Sequence, residues 1–253
     1  MTVPSQEKPI FAIEAINITK CFADFCVFKN LTLRLEASQV HGLVGVSSCG
    51  KSTLLKVLAT IYPFDSGQLK LLGQEVDFNN LPLLRLLRSK IGFQFQGLAL
   101  FDFLDVYENV GFPLMIKGSN MPLHEVDARV MAILEAVGLK DYMSAPLTAL
   151  SGGMQRRVAV ARAMVASPDI CFLDEPTSGL DPVTSARIFE LIARWQAETK
   201  ATVVIASQDV DGLRRVCDNV HIMADKTIVF SGSVADAQRT DLSEAKAFFG
   251  ATL

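Results

Sequence analysis

The chain has 253 residues, half of them hydrophobic, with 24 basic and 27 acidic side chains and a formal net charge of −3. This length supports one large domain with a sizeable core, and the charge balance excludes nucleic-acid binding through a broad basic face. No run of about 18 apolar residues occurs, so the mean hydropathy of +0.31 points to a buried central sheet or a partner interface, not to a membrane span.

The N-terminal MTVPSQEKPIFAIEA lacks a basic start followed by an apolar run, and predicts no secretory signal. AIEAINI (12–18) and LTLRL (31–35) alternate like strands of a half-exposed sheet. VHGLV (40–44) is a buried strand, STLLKVLAT (52–60) a helix, and KIGFQFQ (90–96) a strand again. VDARVMAILEAVGL (126–139) carries Val126, Val130, Ile133, Leu134 and Val137 on one helical stripe. DICFLDE (169–175) is a buried strand ending in two carboxylates. Asp181 is the expected N-cap of the next helix, with Pro182 in its first turn and Ile188, Leu191, Ile192 and Trp195 as its apolar face. ATVVIAS (201–207) is a strand that stops at Ser207, Gln208 and Asp209, and KTIVFSGS (226–233) reads as a late edge hairpin. In the C-terminal DLSEAKAFFGATL, Leu242, Ala245 and Phe249 share one helical side, which packs on the domain or on a partner. Strands alternating with helices predict an α/β fold. The expected division is one domain over 1–253, with an α/β core from 1–96 and 164–253 and a helical insertion at 97–163.

The five cysteines (Cys21, Cys26, Cys49, Cys171, Cys217) are odd in number and form no CxxC pair. They read as reduced thiols, without a disulfide frame or a zinc site. His41, His124 and His221 show no ligand-like spacing.

GVSSCGKST (Gly45, Val46, Ser47, Ser48, Cys49, Gly50, Lys51, Ser52, Thr53) fits G-x-x-x-x-G-K-[ST] between a buried strand and a helix. Loop and helix N–H groups in that setting converge on phosphate oxygens, Lys51 meets the β and γ phosphates, and the Ser52 hydroxyl ligates Mg²⁺. Asp174, ending a buried strand, is suited to the Mg²⁺ shell, and Glu175 to polarising a water for attack on the γ-phosphate. Ser151 N-caps a helix whose first turn holds Gly152 and Gly153, a start that presents bare N–H groups to an anion.

With LSGGMQRR (150–157) and PTSGLDP (176–182) added, the chain resembles the ATP-binding subunits of ABC transporters from about Phe11 to Gly232. The resemblance implies a P-loop NTPase, RecA-like core with an antiparallel β edge and an inserted helical subdomain, binding ATP and Mg²⁺. It makes Phe22 the adenine-stacking aromatic. Gln96 becomes the glutamine that touches Mg²⁺, with Gln94 as the alternative on the same strand face. Ser151, Gly152, Gly153, Met154 and Gln155 form the signature that meets the opposite subunit's ATP, and Ser178, Gly179, Leu180 and Asp181 form the loop that crosses the dimer. Lys51, Glu175 and Gln208 are the catalytic set. Gln208 stands where the family usually has a histidine. A glutamine can donate an amide N–H but cannot become cationic. A slow ATPase is therefore expected, with a regulatory ATP-binder as the alternative.

The family docks a permease on the region 97–118, where Phe101, Phe103, Leu104, Tyr107 and Phe112 either supply apolar anchors, some of them exposed, or fill the small core of the helical insertion. GLALFD, VYENVGFPL and Met154 look most like the ATPases of Mla/MCE-type lipid transporters. The implied role is then phospholipid movement by a second ATPase copy, membrane permeases and an MCE-domain protein. The implied location is peripheral, at the cytoplasmic face of the inner membrane. A small-solute importer or division-type system is the alternative.

Overall fold

The computed structural model describes residues 10–116 and 121–250. The first nine residues of the stretch tested for a secretory signal, positions 117–118 of the apolar segment and the last three residues lie outside them. In chain order the elements are β1 (Phe11–Phe22), β2 (Phe25–Glu36), β3 (Val40–Val44), α1 (Lys51–Leu58), β4 (Ser66–Leu71), β5 (Gln74–Glu75), α2 (Leu81–Ser89) and β6 (Ile91–Gln94). Then come α3 (Val106–Met115), α4 (Leu123–Ala136), α5 (Gly152–Met164), β7 (Ile170–Asp174), α6 (Pro182–Thr199), β8 (Thr202–Ala206) and α7 (Val210–Val216). Last are β9 (Asn219–Ala224), β10 (Thr227–Ser233), α8 (Val234–Arg239) and α9 (Ser243–Phe249). No helix among the described residues is long and apolar enough to cross a membrane.

Two sheets result: an antiparallel one of order β2-β1-β4-β5, and a six-stranded one of order β10-β9-β3-β8-β7-β6. The second is parallel from β9 to β6, with β10 antiparallel at its edge. Its central strands are apolar on both faces because helices and the first sheet cover them. Cys171, Leu173, Val203 and Ile205 face one core with α5 and α6; Ile170, Phe172, Val204 and Ala206 face the other with α1 and β1. This is the α/β arrangement with an antiparallel edge that the sequence predicts.

Helices α3, α4 and α5 pack on one another, and α5 also lies on β6 and β7. The contact is close. A Cβ at Gly92 would stand 2.0 Å from the Ala163 carbonyl oxygen and 2.8 Å from Pro168. Gly92→Ala therefore forces β6 and α5 apart. We expect a loss of about 1–3 kcal/mol in urea unfolding; unchanged stability would show that the contact is soft. The C-terminal helix α9 packs on β9, with Ala245 and Phe249 fully buried, which decides between domain and partner for that face.

The cysteine expectation needs correction. Cys21 and Cys26 form a disulfide, while Cys49, Cys171 and Cys217 are free. The β1–β2 turn comprises only Ala23 and Asp24, so Cys21 falls directly opposite Cys26 and Phe22 opposite Phe25. Spacing alone hides this pairing, because it depends on hairpin register.

His41 Nδ1 lies 3.2 Å from His221 Nε2, and His221 Nδ1 lies 2.9 Å from the Ser231 hydroxyl. Burial lowers both pKa values, His221 to about 3. Unfolded, each ring takes up its proton near pH 6.5. The folded state then binds fewer protons, so this stabilisation is complete above pH 6.5 and is lost as pH falls below it. Between about pH 7.5 and 5.5, wild type should lose about 1.3 kcal/mol more than His221→Gln in urea titrations. Equal losses would contradict the buried neutral ring.

Candidate active site

Three parallel strands end side by side, and each delivers part of the site. β3 runs into the phosphate loop, β7 ends at Asp174, and β8 ends just before Ser207. Ligands of open α/β sheets lie at such carboxyl ends.

The loop is shaped by backbone needs. A Cβ at Gly45 would sit 2.4 Å from the Met223 carbonyl oxygen, and Gly50 adopts φ 111°, a region open to glycine. α1 starts at Lys51 with no side-chain cap among the described residues, leaving its first N–H groups for an anion. Lys51 Nζ is buried and donates to the carbonyls of Gly45 (2.7 Å) and Val46 (3.0 Å).

Ser52 Oγ donates to Asp174 Oδ1 at 2.9 Å. Asp174 Oδ2 is buried and has no hydrogen-bond partner among the described residues. Burial raises the Asp174 pKa, while the Ser52 hydrogen bond, Lys56 and Lys51 lower it. A buried carboxylate oxygen without a donor calls for a cation. Ser52 and Asp174 thus fit Mg²⁺, an oxygen-seeking ion that takes one or two protein ligands and shares the rest with phosphates and water. No group of three or more His, Cys, Asp or Glu among the described residues could hold a metal alone.

Glu175 is 8% exposed and sits at φ 52°, left-handed backbone unusual for a side-chain-bearing residue. Its N–H donates to Ala206 O (2.8 Å), and Oε2 accepts from the Gln208 backbone N–H (3.3 Å). Burial pushes its pKa up, opposed by the Gln208 backbone hydrogen bond and by Lys51. A carboxyl raised in this way is a better proton acceptor than an exposed one. The Gln208 side chain is exposed.

One cavity of about 330 Å³ gathers Ser47, Ser48, Gly50, Lys51, Ser52, Thr53, Gln96, Glu175 and Gln208, with Phe25 and Val27 as apolar walls. Gln96 stands just past the end of β6 and faces this cavity. Gln94, by contrast, is fully buried, donates to Phe95 O and is not among the residues lining that cavity. Phe22 is 46% exposed and packs edge-on against Tyr62. Phe25, which sequence reasoning missed, is the hairpin aromatic on the cavity wall; the Phe-x-x-Phe spacing across a two-residue turn was its signal.

The signature residues are not among those lining that cavity. Ser151 Oγ accepts from Met154 N–H and caps α5, as expected. Ser151 and Gly152 are exposed, and a Cβ at Gly152 would meet open space. The Gln155 amide is turned inward, donating to the carbonyls of Leu147 and Leu150. Ser178 and Leu180 line a neighbouring 540 Å³ cavity with Glu175 and Gln208. Gly179 takes φ 76°, and Asp181 caps α6 through Val183 and Thr184. Arg156, also unforeseen, donates from Nη1 to the Glu175 carbonyl at 3.0 Å.

Comparison with known proteins agrees with this geometry. The family model "ABC transporter" matches residues 28–178. "Methionine import ATP-binding protein MetN 1" of Pseudomonas syringae pv. syringae is 40% identical over 205 residues, 81% of this chain and 61% of the relative. MetN of Clostridium tetani is 34% identical over 225 residues, 88% of this chain and 70% of the relative. The chain thus spans about three fifths of the length of the first of these curated relatives. Among solved structures, cbiO1 from Clostridium perfringens, described as part of the ABC transporter complex cbiONQ, superposes with TM-score 0.78 at 28% identity over 96% of this chain and 91% of that one. The ATP-binding cassette MJ0796, in a dimeric post-hydrolysis state with ADP and Pi, gives TM-score 0.81 at 27% identity over 87% of this chain and 98% of that one. With the G-x-x-x-x-G-K-S loop and a buried glutamate meeting in one cavity, a buried aspartate bonded to Ser52 at its edge, and the family model covering most of the chain, this protein belongs to the ABC transporter family as an ATP-binding subunit with the α/β P-loop NTPase fold.

Proposed function

We propose that this chain binds and hydrolyses ATP to drive an ABC import system for a small solute. The observation that carries the chemistry is the convergence of Lys51, Ser52, Glu175 and Gln208 on one cavity, with Asp174 behind Ser52 as its hydrogen-bond acceptor. Lys51 exchanges its carbonyl partners for the β and γ phosphates. Ser52, Asp174 and Gln96 would hold Mg²⁺, which would neutralise charge on the phosphate oxygens. Glu175 orients a water and takes its proton as the water attacks the γ-phosphate and the bond to the β,γ-bridging oxygen breaks, with ADP as the leaving group. Gln208 donates an amide N–H to that phosphate without adding charge, which supports slower turnover than a histidine would allow. A regulatory ATP-binder remains the second reading on this observation alone.

The signature start on α5 is exposed and lies away from its own chain's cavity, which favours a second copy as its target. The helical part, 97–163, would then be the arm that carries it. The substrate expectation changes. Sequence resemblance pointed to Mla/MCE-type lipid transport, but the MetN relatives above are named for methionine import, which supports the small-solute alternative. The two readings share the same ATP chemistry, and the cassette does not touch the cargo, so the cargo leaves little trace in this site. Loss of radiolabelled methionine uptake on deleting the gene, with lipid distribution unchanged, is the expected result. The reverse pattern would return the assignment to lipid.

Docking to membrane subunits at the cytoplasmic face is supported by the exposed side chains of Phe103, Phe112, Met115 and Ile116 around α3. Phe103 is 82% exposed, so Phe103→Asp should leave thermal stability unchanged. It should also abolish co-purification of the permease. Retained co-purification would place the interface elsewhere.

A further inference from the structure

We propose that Arg156 is a positioning residue for Glu175, fixing the backbone from which that carboxylate reaches the attacking water. The proposal rests on the assignment of Glu175 as the proton acceptor. Glu175 combines two unfavourable demands. Its φ is 52°, and the next residue is Pro176, which disfavours all but extended backbone at the preceding position. Such a conformation persists only where its surroundings hold it. The N–H of Glu175 is held by Ala206 O at 2.8 Å. Its carbonyl accepts two donors, Arg156 Nη1 at 3.0 Å and the Ser178 N–H at 3.3 Å. Pro176 has no N–H, so the Glu175–Pro176 peptide is held through that carbonyl alone. The guanidinium bond is the shorter of the two and is charge-assisted, hence the stronger.

The origin of the donor gives the contact its meaning. Arg156 belongs to α5, the helix that Ser151 caps and whose exposed start is proposed to face the other copy's nucleotide. Its neighbour Arg157 points the opposite way, donating to the carbonyls of Val137 and Gly138 at the end of α4. Adjacent arginines thus tie α5 to the end of α4 on one side and to the catalytic turn on the other. A shift of α5 is passed to the Glu175 peptide through one side chain.

The test compares the full chain with Arg156→Met, which removes the donors and keeps apolar length, and Arg156→Lys, which keeps a cation. kcat for Mg-ATP should fall about tenfold in Arg156→Met, with KM within about twofold of wild type, and lysine should restore about half of the lost rate. Placed in a Glu175→Gln background, Arg156→Met should leave ATP-dependent pairing as tight as in Glu175→Gln alone. Wild-type kcat in Arg156→Met, a KM that rises as kcat falls, or loss of pairing in the double variant would each overturn the proposal. Should Arg156→Met fail to fold, Arg156→Gln decides. Its amide is too short to reach the carbonyl, so a lower kcat at constant KM supports the proposal and an unchanged kcat overturns it. Full turnover in Glu175→Gln alone would instead sink the proton-acceptor assignment, a separate result.

Discussion

Glu175→Gln should lower ATP turnover by about 10²–10⁴-fold, the range general-base catalysis supplies, while ATP affinity stays close to wild type. The amide fills the same space and still accepts the Gln208 N–H, but it cannot take a proton. On the proposed reading, binding rests on the phosphate loop and on the Ser52–Asp174 pair, which the substitution leaves alone. Steady-state phosphate release and fluorescent-nucleotide titration on the same preparations separate the two effects. If wild type proves no faster than the variant, the slow-enzyme account fails and the regulatory reading, with Gln208 as its marker, replaces it.

Lys51→Met should weaken ATP binding by roughly 30- to 5,000-fold, corresponding to about 2–5 kcal/mol for removing one partner of a buried charged contact. The fold should survive. Among the described residues, the hydrogen bonds of Nζ go to the Gly45 and Val46 carbonyls and the Cys49 sulfur of its own loop, and a methionine of similar length keeps the apolar stem. Isothermal titration with Mg-ATP, alongside a thermal melt, distinguishes lost binding from lost structure. Near-native affinity would mean that the helix start and loop N–H groups carry the phosphates unaided.

Much of this site could be read along the chain because its strands are short apolar runs that end on polar groups. β3 matches VHGLV, and β7 and β8 lie within a residue or two of the segments expected. The caps at Ser151 and Asp181 were equally legible, since an N-cap is a local feature. Features that depend on distant pairing were hidden. The Cys21–Cys26 bond and the placement of Phe25 follow from hairpin register. Arg156 looks like one more basic residue until α5 is laid against the end of β7. α2 was missed although Asn80 caps it, because LPLLRLLRS is brief and opens beside a proline. β9 was missed because NVHIMA carries a histidine whose partner, His41, lies 180 residues away. The cargo left no local signal, because none of the residues proposed to handle ATP touches the solute.

The most direct measurement is the mass of Glu175→Gln by light scattering, with and without Mg-ATP, both alone and within its membrane assembly. The account predicts that nucleotide doubles the mass of the isolated subunit, that the assembly holds two copies, and that Ser151→Arg, which blocks the exposed start of α5, prevents the doubling. A single copy under every condition, including the assembly with ATP retained, would contradict it.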